Sequence, residues 1–508
     1  MKQHSFKKIA LIAGRICLCL LTVLAIVALF SAGWYENIYG DLGFDSILFT
    51  LTANRDGVSH GLIGSWIVQV VPATLLLSVA ALLFFNYRSQ KPVIMNIGKR
   101  AFQLFPLQRW VSAALCLVFC CCLFLGAANA VGLSDYLQNR HTYSDLYEQE
   151  YRDPKETAIT FPEQKRNLIY IYLESMETSF LSTEQGGLLP YNAIPELTAL
   201  AEENINFSHN TKVGGFSVVP GTSWTIGAMV AQTAGIPLKV PADIEPDGYG
   251  SDGVFLPGIT SLTDILKENG YYQTLMVGSD SAFGGRKAYY EMHGVDKIYD
   301  LYTARQDGII PEDYEVWWGY EDLHLFEYAK QELVKIAAQE QPFAFTMLTV
   351  DTHHIGGYVC SQCENTYEEQ YENVYACSSK QVAAFVAWLQ QQDFYENTTI
   401  VITGDHASMD NSYFERVGFE GYERHIYNCF INSAVTAENT QNRAFCAFDM
   451  LPTTLRAMGC AIEGDQLGLG TNLFSRVPTL MESHGQTFLD EVAQNSQYYN
   501  ERFFLEFE

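Results

Sequence analysis

Positive charge is what this chain of 508 residues has least of: 31 lysines and arginines stand against 58 aspartates and glutamates, a formal net charge of −27. So acidic a surface repels a phosphate backbone instead of neutralising it, which excludes nucleic acid as a partner. Charge of either sign is missing altogether from three apolar runs, residues 16–34, 61–85 and 110–131. Each is roughly as long as the ~20 residues that cross a bilayer as helix. No acid-base pair or repeated break interrupts them, which excludes a transport pathway and leaves anchoring as their role; Pro72 reads as a kink. A small-x-small cleavage site followed by a soluble domain is also lacking after the first run, so that run reads as a span and not as a signal peptide.

Such charges as the loops carry are distributed unevenly. Lys2, Lys7, Lys8 and Arg15 precede the first span, and Arg88, Lys91, Lys99, Arg100 and Arg109 lie between the second and third. The loop between the first two spans carries Glu36, Asp41, Asp45 and Asp56 against Arg55 alone. The positive-inside rule then places the N-terminus in the cytoplasm and the chain after about residue 131 outside. The expected organisation is a membrane anchor over residues 1–132, a tyrosine-rich, partly helical connector over 133–163, and an extracytoplasmic domain over 164–508.

Cysteine is absent between Val131 and Cys360. Cys17, Cys19, Cys116, Cys120, Cys121 and Cys122 sit in or beside the apolar runs, where they read as packing residues. Cys360, Cys363, Cys377, Cys429, Cys446 and Cys460 sit in the C-terminal portion, an even number compatible with disulfides in an oxidising compartment. Cys360-x-x-Cys363 suggests zinc or redox chemistry, but no second such pair completes a site. A structural disulfide from this cluster to Cys377 is the preferred reading.

Beyond the connector, apolar strand-type runs alternate with helical patterns. The strand Asn167-Leu-Ile-Tyr-Ile-Tyr-Leu173 ends at Glu174; a helix over 194–203 follows, with Pro195 in its first turn. A helix carrying Leu262, Ile265 and Leu266 closes at Asn269-Gly270 and leads to the strand Thr274-Leu-Met-Val277, which ends at Asp280. A helix over 326–338 precedes a strand over 343–350, ending at Asp351-Thr-His353-His354. A helix over 379–390 precedes the β-branched strand Thr399-Ile-Val-Ile-Thr-Gly-Asp405-His406. This alternation predicts an α/β fold, a doubly wound, mostly parallel sheet with helices on both faces. Parallel strands bring their C-terminal ends to one crevice, so Glu174, Asp280, His353, Asp405 and His406 are expected to converge there. They are ligands suited to Mn, Zn or Mg. Singly, each has a structural reading as well: Glu174 as a helix cap, His353 as a loop histidine.

A nucleophile is expected from the glycine-rich stretch Gly214-Gly-Phe-Ser-Val-Val-Pro-Gly-Thr222-Ser-Trp-Thr225-Ile-Gly-Ala-Met-Val. It places a hydroxyl at a helix N-terminus, where backbone amides stabilise an anion. Thr225 is preferred on that argument, with Thr222 the alternative beside Gly221; an N-cap role is the structural reading of either.

Leu173-Glu174-Ser175, this loop, Gly284-Gly-Arg286-Lys-Ala-Tyr-Tyr, Trp318-Gly-Tyr-Glu-Asp, Asp351-Thr-His-His354 and Thr403-Gly-Asp405-His406 occur in one order. Together they resemble the lipoteichoic acid synthase and phosphoglycerol transferase branch of the sulfatase/alkaline-phosphatase superfamily. The Pro-Gly-Thr-Ser-Trp-Thr-Ile-Gly-Ala-Met-Val and Asp-Gln-Leu-Gly-Leu-Gly stretches resemble, more closely, the phosphoglycerol transferases of periplasmic glucans. The resemblance spans about residues 167–475 and implies a fold of the sulfatase/alkaline-phosphatase type. It implies that Glu174, Asp405 and His406 bind one divalent metal, typically Mn2+ with Zn2+ or Mg2+ as alternatives, and that a threonine completes the metal shell and attacks a phosphodiester. Arg286 and His353 match positions that hold phosphate and assist the leaving group, with His354 as the alternative to His353; Asp280 and Trp318 fall in substrate-binding segments. The implied reaction moves phosphoglycerol from an anionic phospholipid, phosphatidylglycerol, to a glycan or polymer hydroxyl through a phospho-threonine, at the outer face of the cytoplasmic (inner) membrane.

Two further absences bear on rival readings. The sulfatase signature Cys-x-Pro-Ser-Arg is missing, which disfavours a formylglycine sulfatase. Phosphoethanolamine transferases normally carry cysteines flanking the nucleophile, and none occurs here. A phosphodiesterase with water as acceptor and a non-catalytic receptor or scaffold on a degenerate fold complete the alternatives.

Overall fold

The computed structural model describes residues 2–40, 43–52, 60–98, 100–104, 107–240, 253–419 and 421–504. Asp41, Arg55, Asp56 and Lys99, used above in the orientation argument, lie outside the described residues. The chain divides into two compact units, one of residues 1–44 and 58–136, the other of residues 45–57 and 137–508.

In the first unit, helices α1 (Lys2–Tyr39), α3 (His60–Gln90) and α4 (Leu107–Ala130) contain the three apolar stretches long enough to cross a membrane. A polar backbone in hydrocarbon must satisfy its own hydrogen bonds, which a continuous helix does. Small residues let the helices approach: Ala25, Cys116 and Cys120 form a core, with Thr22 Oγ1 3.2 Å from Cys116 Sγ. Reciprocal indole bonds tie α1 to α3, Trp34 Nε1 donating to Ser65 Oγ and Trp66 Nε1 to Ser31 Oγ. Cys17, Cys19, Cys121 and Cys122 are exposed on the helix surfaces. A short antiparallel hairpin, β1 (Val93–Ile97) and β2 (Arg100–Leu104), joins α3 to α4 through the basic loop.

In the second unit, part of α2 (Gly43–Thr52), α5 (Leu133–His141) and α6 (Leu146–Glu150) precede a seven-stranded sheet. Its strands in chain order are β4 (Asn167–Leu173), β5 (Gly215–Ser217), β6 (Tyr272–Val277), β7 (Lys297–Tyr299), β8 (Phe343–Leu348), β9 (Thr398–Gly404) and β10 (His425–Ile431), while β3 (Ile159–Thr160) belongs to a separate two-stranded ribbon. The spatial order is β5-β10-β9-β4-β8-β6-β7. From β9 through β7 every pairing is parallel, as the alternating pattern predicts, and β10 closes the other side antiparallel to both β9 and β5.

The middle strands are apolar along their whole length because both faces are covered. Ile169, Ile171 and Leu173 share one core with residues of α7 (Pro195–Glu203), α12 (Asp322–Ala337) and α13 (Gln370–Leu389). Tyr170 points the other way, where its hydroxyl donates to Gln232 of α8 (Thr225–Ala234). α9 (Leu262–Glu268) is capped by Ser261 and Asp264, and α10 (Arg286–Met292) and α11 (Leu301–Gln306) flank β7 in sequence.

Three expectations need correction. α13 begins nine residues before residue 379, at Gln370, so that Cys377 lies within it; the intervening Glu and Tyr residues continue the buried helical face. β8 stops at Leu348: the Thr349 N–H still donates to the Tyr172 carbonyl of β4 at 3.0 Å, but Asp322 takes the two N–H groups after it, Val350 at 2.7 Å and Asp351 at 3.1 Å, out of the ladder. The cysteines of the C-terminal portion are all free thiols, and the expected disulfide to Cys377 is not formed. The connector does pack on its own unit: Tyr147 and Tyr151 are buried against Tyr498, Tyr499 and Phe503.

Candidate active site

β4 and β9 are parallel neighbours with Leu173 opposite Gly404, so the residues that follow emerge side by side. Ser175, at φ 55°, turns the chain sharply, and its N–H donates to Asp405 Oδ1 at 2.7 Å while its hydroxyl donates to Glu174 Oε1 at 2.7 Å. The His406 N–H donates to the same Asp405 Oδ1 at 2.8 Å. His406 Nδ1 lies 2.9 Å from the Ala407 carbonyl, which assigns the proton to Nδ1 and turns the Nε2 lone pair inward. Nε2 stands 3.3 Å from Asp405 Oδ2 and 3.7 Å from Glu174 Oε1.

All three side chains are buried, and their ligand atoms lie within 4.8 Å of one another. Burial and the adjacent Glu174 push Asp405 up to about 7. Burial disfavours the charged His406 imidazole, but Asp405 and Glu174 outweigh it and raise its pKa. Asp405 Oδ2 is buried and has no hydrogen-bond partner among the described residues. Two converging carboxylates, an inward imidazole nitrogen and an orphaned oxygen fit a divalent cation, and these three residues could hold one.

Thr225 is the first residue of α8, and its Oγ1 lies 3.3 Å from His406 Nε2. Extended Trp224 precedes it, Gly221 turns at φ 80°, and a Cβ at Gly227 would stand 2.8 Å from the Gly221 carbonyl, so only glycine lets the loop cross the helix there. Thr222 is used differently: its hydroxyl donates to the Val219 carbonyl at 2.8 Å and accepts the Val219 N–H at 3.2 Å, closing the turn. Thr225 thus occupies the helix start, Thr222 closes the turn before it, and neither is the N-cap, which is Trp224.

Arg286 is buried behind the loop after β6. Its Nε donates to the Phe283 carbonyl at 3.1 Å, and its Nη2 to Ser279 Oγ at 3.1 Å and the Asp280 carbonyl at 2.6 Å. Burial lowers its pKa, and Glu174, Asp280 and Asp405 oppose that shift, which places the guanidinium in the field of the acidic cluster. The Asp280 carboxylate faces its own loop, accepting from the Ala282 N–H at 2.8 Å and the Tyr302 hydroxyl at 3.3 Å. The structure therefore places the Asp280 carboxylate within the Arg286 loop and not in the Glu174, Asp405 and His406 cluster.

His353 is half-buried against Trp318, ring centroids 4.6 Å apart, with Nδ1 2.8 Å from the His354 carbonyl. Burial lowers it to about 4, against the pull of that carbonyl, so the imidazole is neutral at pH 7. His354 stacks on it at 4.3 Å and is itself buried, its pKa lowered by the same cause.

Sequence reasoning missed several residues that hold this arrangement. Gln232 Nε2 donates to the Gly404 carbonyl at 3.1 Å and its Oε1 accepts from Tyr170, tying the threonine helix to the end of β9. Thr349 Oγ1 accepts the Glu174 N–H at 3.0 Å, and Thr352 Oγ1 donates to the Glu174 carbonyl at 2.5 Å. Phe49, between the first two apolar runs in sequence, packs its ring 5.9 Å from Trp224 and 6.5 Å from Phe255. Gln232 is the one amide in the apolar run of α8, and that was the only mark the sequence gave it.

A family model described as sulfatase matches residues 166–460, more than half of the chain. Among curated proteins, a phosphoglycerol transferase I of Escherichia fergusonii is 32% identical over 265 residues, 51% of this chain and 33% of that protein. A phosphoglycerol transferase I of Salmonella choleraesuis is 29% identical over 413 residues, 77% of this chain and 48% of that protein. The chain thus spans half or less of the length of these relatives. A crystal structure of an alkaline phosphatase superfamily protein from Vibrio parahaemolyticus shares the fold, with a TM-score of 0.50 at 18% identity over 65% of this chain and 76% of that one.

Proposed function

Because the chain belongs to the sulfatase family, we propose that it transfers phosphoglycerol from phosphatidylglycerol to a glycan or polymer hydroxyl, by way of a phosphorylated Thr225. The observation that carries this reading is the 3.3 Å approach of Thr225 Oγ1, at a helix N-terminus, to His406 Nε2 inside the Glu174, Asp405 and His406 cluster. The names of the curated relatives support phosphoglycerol as the group moved.

A divalent cation, Mn2+ in this proposal, would be held by Glu174, Asp405, His406 and the Thr225 oxygen, and would lower the hydroxyl's pKa and polarise the phosphate. Thr225 Oγ1 forms a bond to phosphorus as the bond from phosphorus to the diacylglycerol oxygen breaks; the threonine proton departs and the leaving oxygen takes one up, an exchange assigned to His353, neutral at pH 7. The acceptor hydroxyl then attacks the phospho-threonine, loses its proton, and restores the Thr225 hydroxyl. Arg286, buried behind the cluster, opposes the negative charge of the phosphate. The amides at the start of α8 do the same. Trp318, tilted against His353, fixes the imidazole and lines the substrate side, with His354 behind it.

In this proposal residues 1–132 anchor the enzyme in the inner membrane through three spans, residues 133–163 connect, and residues 164–508 work outside, where a lipid donor lies in the adjoining leaflet. The test is incubation of headgroup-labelled phosphatidylglycerol with the protein, with and without Mn2+, followed by mass spectrometry of the Thr225 peptide. Metal-dependent label on Thr225, lost in Thr225→Ala, is expected. Label from phosphatidylethanolamine would reassign the donor, release of free glycerol phosphate alone would make the protein a phosphodiesterase, and turnover by Thr225→Ala would end the covalent scheme.

A further inference from the structure

We propose that Cys360, Cys363, Cys377 and Gln381 form a second metal site, for a thiophilic divalent ion of the zinc class, separate from the Glu174, Asp405 and His406 cluster. The sequence offers one Cys-x-x-Cys and nothing to complete it; the fold supplies the rest. The loop after His354 brings Cys360 and Cys363 onto α13, where Cys377 and Gln381 stand one helical turn apart on one face. Cys360 Sγ lies 3.6 Å from Cys363 Sγ and 3.6 Å from Cys377 Sγ, and all three sulfurs fall within 4.8 Å of one another. Tetrahedral zinc–thiolate coordination, with bonds of about 2.3 Å, sets sulfurs apart by about 3.8 Å, so three corners of such a site are already in place.

The fourth corner is the Gln381 amide. It is nine-tenths buried, its Nε2 lies 3.4 Å from Cys377 Sγ and 3.9 Å from Cys360 Sγ, and its Oε1 is buried with no hydrogen-bond partner among the described residues. The two amide ends differ only by rotation about the last side-chain bond. Turning it sets the carbonyl oxygen at those same distances from the two sulfurs, the separation that neighbouring ligands have around one metal, and gives Oε1 a partner while Nε2 takes the place it leaves. Binding transfers the three thiol protons to solvent and forms three metal–sulfur bonds and one metal–oxygen bond, with no change of oxidation state. The site would clamp to α13 the loop that runs from His353 and His354 to Cys363.

The full-length protein, purified in detergent with a phosphine reductant and stripped with chelator, is titrated with Co2+ and separately analysed for Zn2+ and Mn2+ content. The expected result is one thiophilic ion per chain with thiolate-to-cobalt charge-transfer absorption. Cys363→Ser and Cys377→Ser each lose that ion and that absorption while Mn2+ content is unchanged, which also shows that the variants have folded. Gln381→Ala keeps the absorption but with weaker cobalt affinity. Binding of cobalt or zinc in the serine variants at wild-type stoichiometry overturns the proposal. So does a reduced wild-type protein that takes up no thiophilic ion, or peptide mapping that finds Cys360 in a disulfide which re-forms in the presence of zinc.

Discussion

Gly404 ends β9 immediately before Asp405 and His406, and replacing it with alanine tests whether the strand end sets the ligands. A Cβ there would stand 1.9 Å from the Met176 carbonyl oxygen and 2.8 Å from Ile426 Cγ2. Neither neighbour is free to yield. Met176 follows the Glu174–Ser175 turn, and its carbonyl accepts the Tyr427 N–H of β10 at 3.2 Å. Relief therefore requires β9 to move away from the Glu174 turn or that hydrogen bond to break. Overpacking of this kind costs about 1–3 kcal/mol, and the lost hydrogen bond about 1 kcal/mol more. A sum of about 2–4 kcal/mol lowers the melting temperature by roughly 2–5 °C in a unit of this size, because the unfolding entropy it is divided by grows with chain length. Because the shift falls between the carboxylates, divalent-metal affinity should drop as well. Thermal melts of the full-length protein with chelator and with Mn2+ read both effects: Gly404→Ala should melt lower in each and gain less from the metal. Gly33→Ala, inside α1 where a Cβ meets nothing within 4 Å, is the control and should melt no lower than wild type. A Gly404→Ala protein with wild-type melting and an undiminished metal response would refute the geometric reasoning.

Thr222→Ala should keep measurable transfer and lower the melting point by the equivalent of about 1 kcal/mol, since it removes a turn bond and no reacting atom; loss of transfer with normal melting would move the nucleophile there. Phe49→Ala should destabilise the second unit by roughly 3 kcal/mol, read in chemical denaturation, because the ring is buried between Trp224 and Phe255. His209 is lowered to about 4 by burial and by His425, stacked on it at 3.4 Å. With a folded pKa below the unfolded 6.5, the unfolded chain takes up the proton first, so this contribution is complete above pH 6.5 and is lost as pH falls toward 4. The loss is about 3 kcal/mol as a ceiling and about half that after solvent screening; His209→Asn should flatten the fall in melting temperature between pH 7 and pH 5, and an unchanged slope would show that the pair does not titrate this way.

The parallel core was legible because strands covered on both faces must be apolar throughout, and four such runs spaced by helical patterns admit few topologies. β10 was not, although it is equally apolar: Arg424 and His425 lie at its start, and Asn428 interrupts it. In the fold those groups are satisfied, Arg424 by Glu177 and Ser408, and Asn428 by the Phe207 backbone. Gln232 was hidden for the same reason, since a glutamine in an apolar helix has no meaning until its two partners, Tyr170 and Gly404, are placed. The Cys360 cluster was half legible: the Cys-x-x-Cys spacing is local and Cys377 was already expected beside it, though as a disulfide partner, whereas Gln381 joins only once α13 is placed.

The same limit explains why the five strand-end residues did not all prove equivalent. Sequence order says that each follows a strand; ligation depends on which strands are neighbours. In the order β9-β4-β8-β6, the ends of β9 and β4 adjoin, and there Asp405, His406 and Glu174 meet. β8 is the next strand over, so His353 stands beside the cluster without entering it, close enough to feel His406 and Asp405. β6 lies a further strand away, and at about 4.8 Å per strand its end is roughly 14 Å from that of β9. No aspartate side chain spans that distance. Asp280 can act on the centre only through a longer side chain, and the structure shows the one it uses: its carbonyl holds Arg286 Nη2, whose guanidinium reaches back into the field of Glu174 and Asp405.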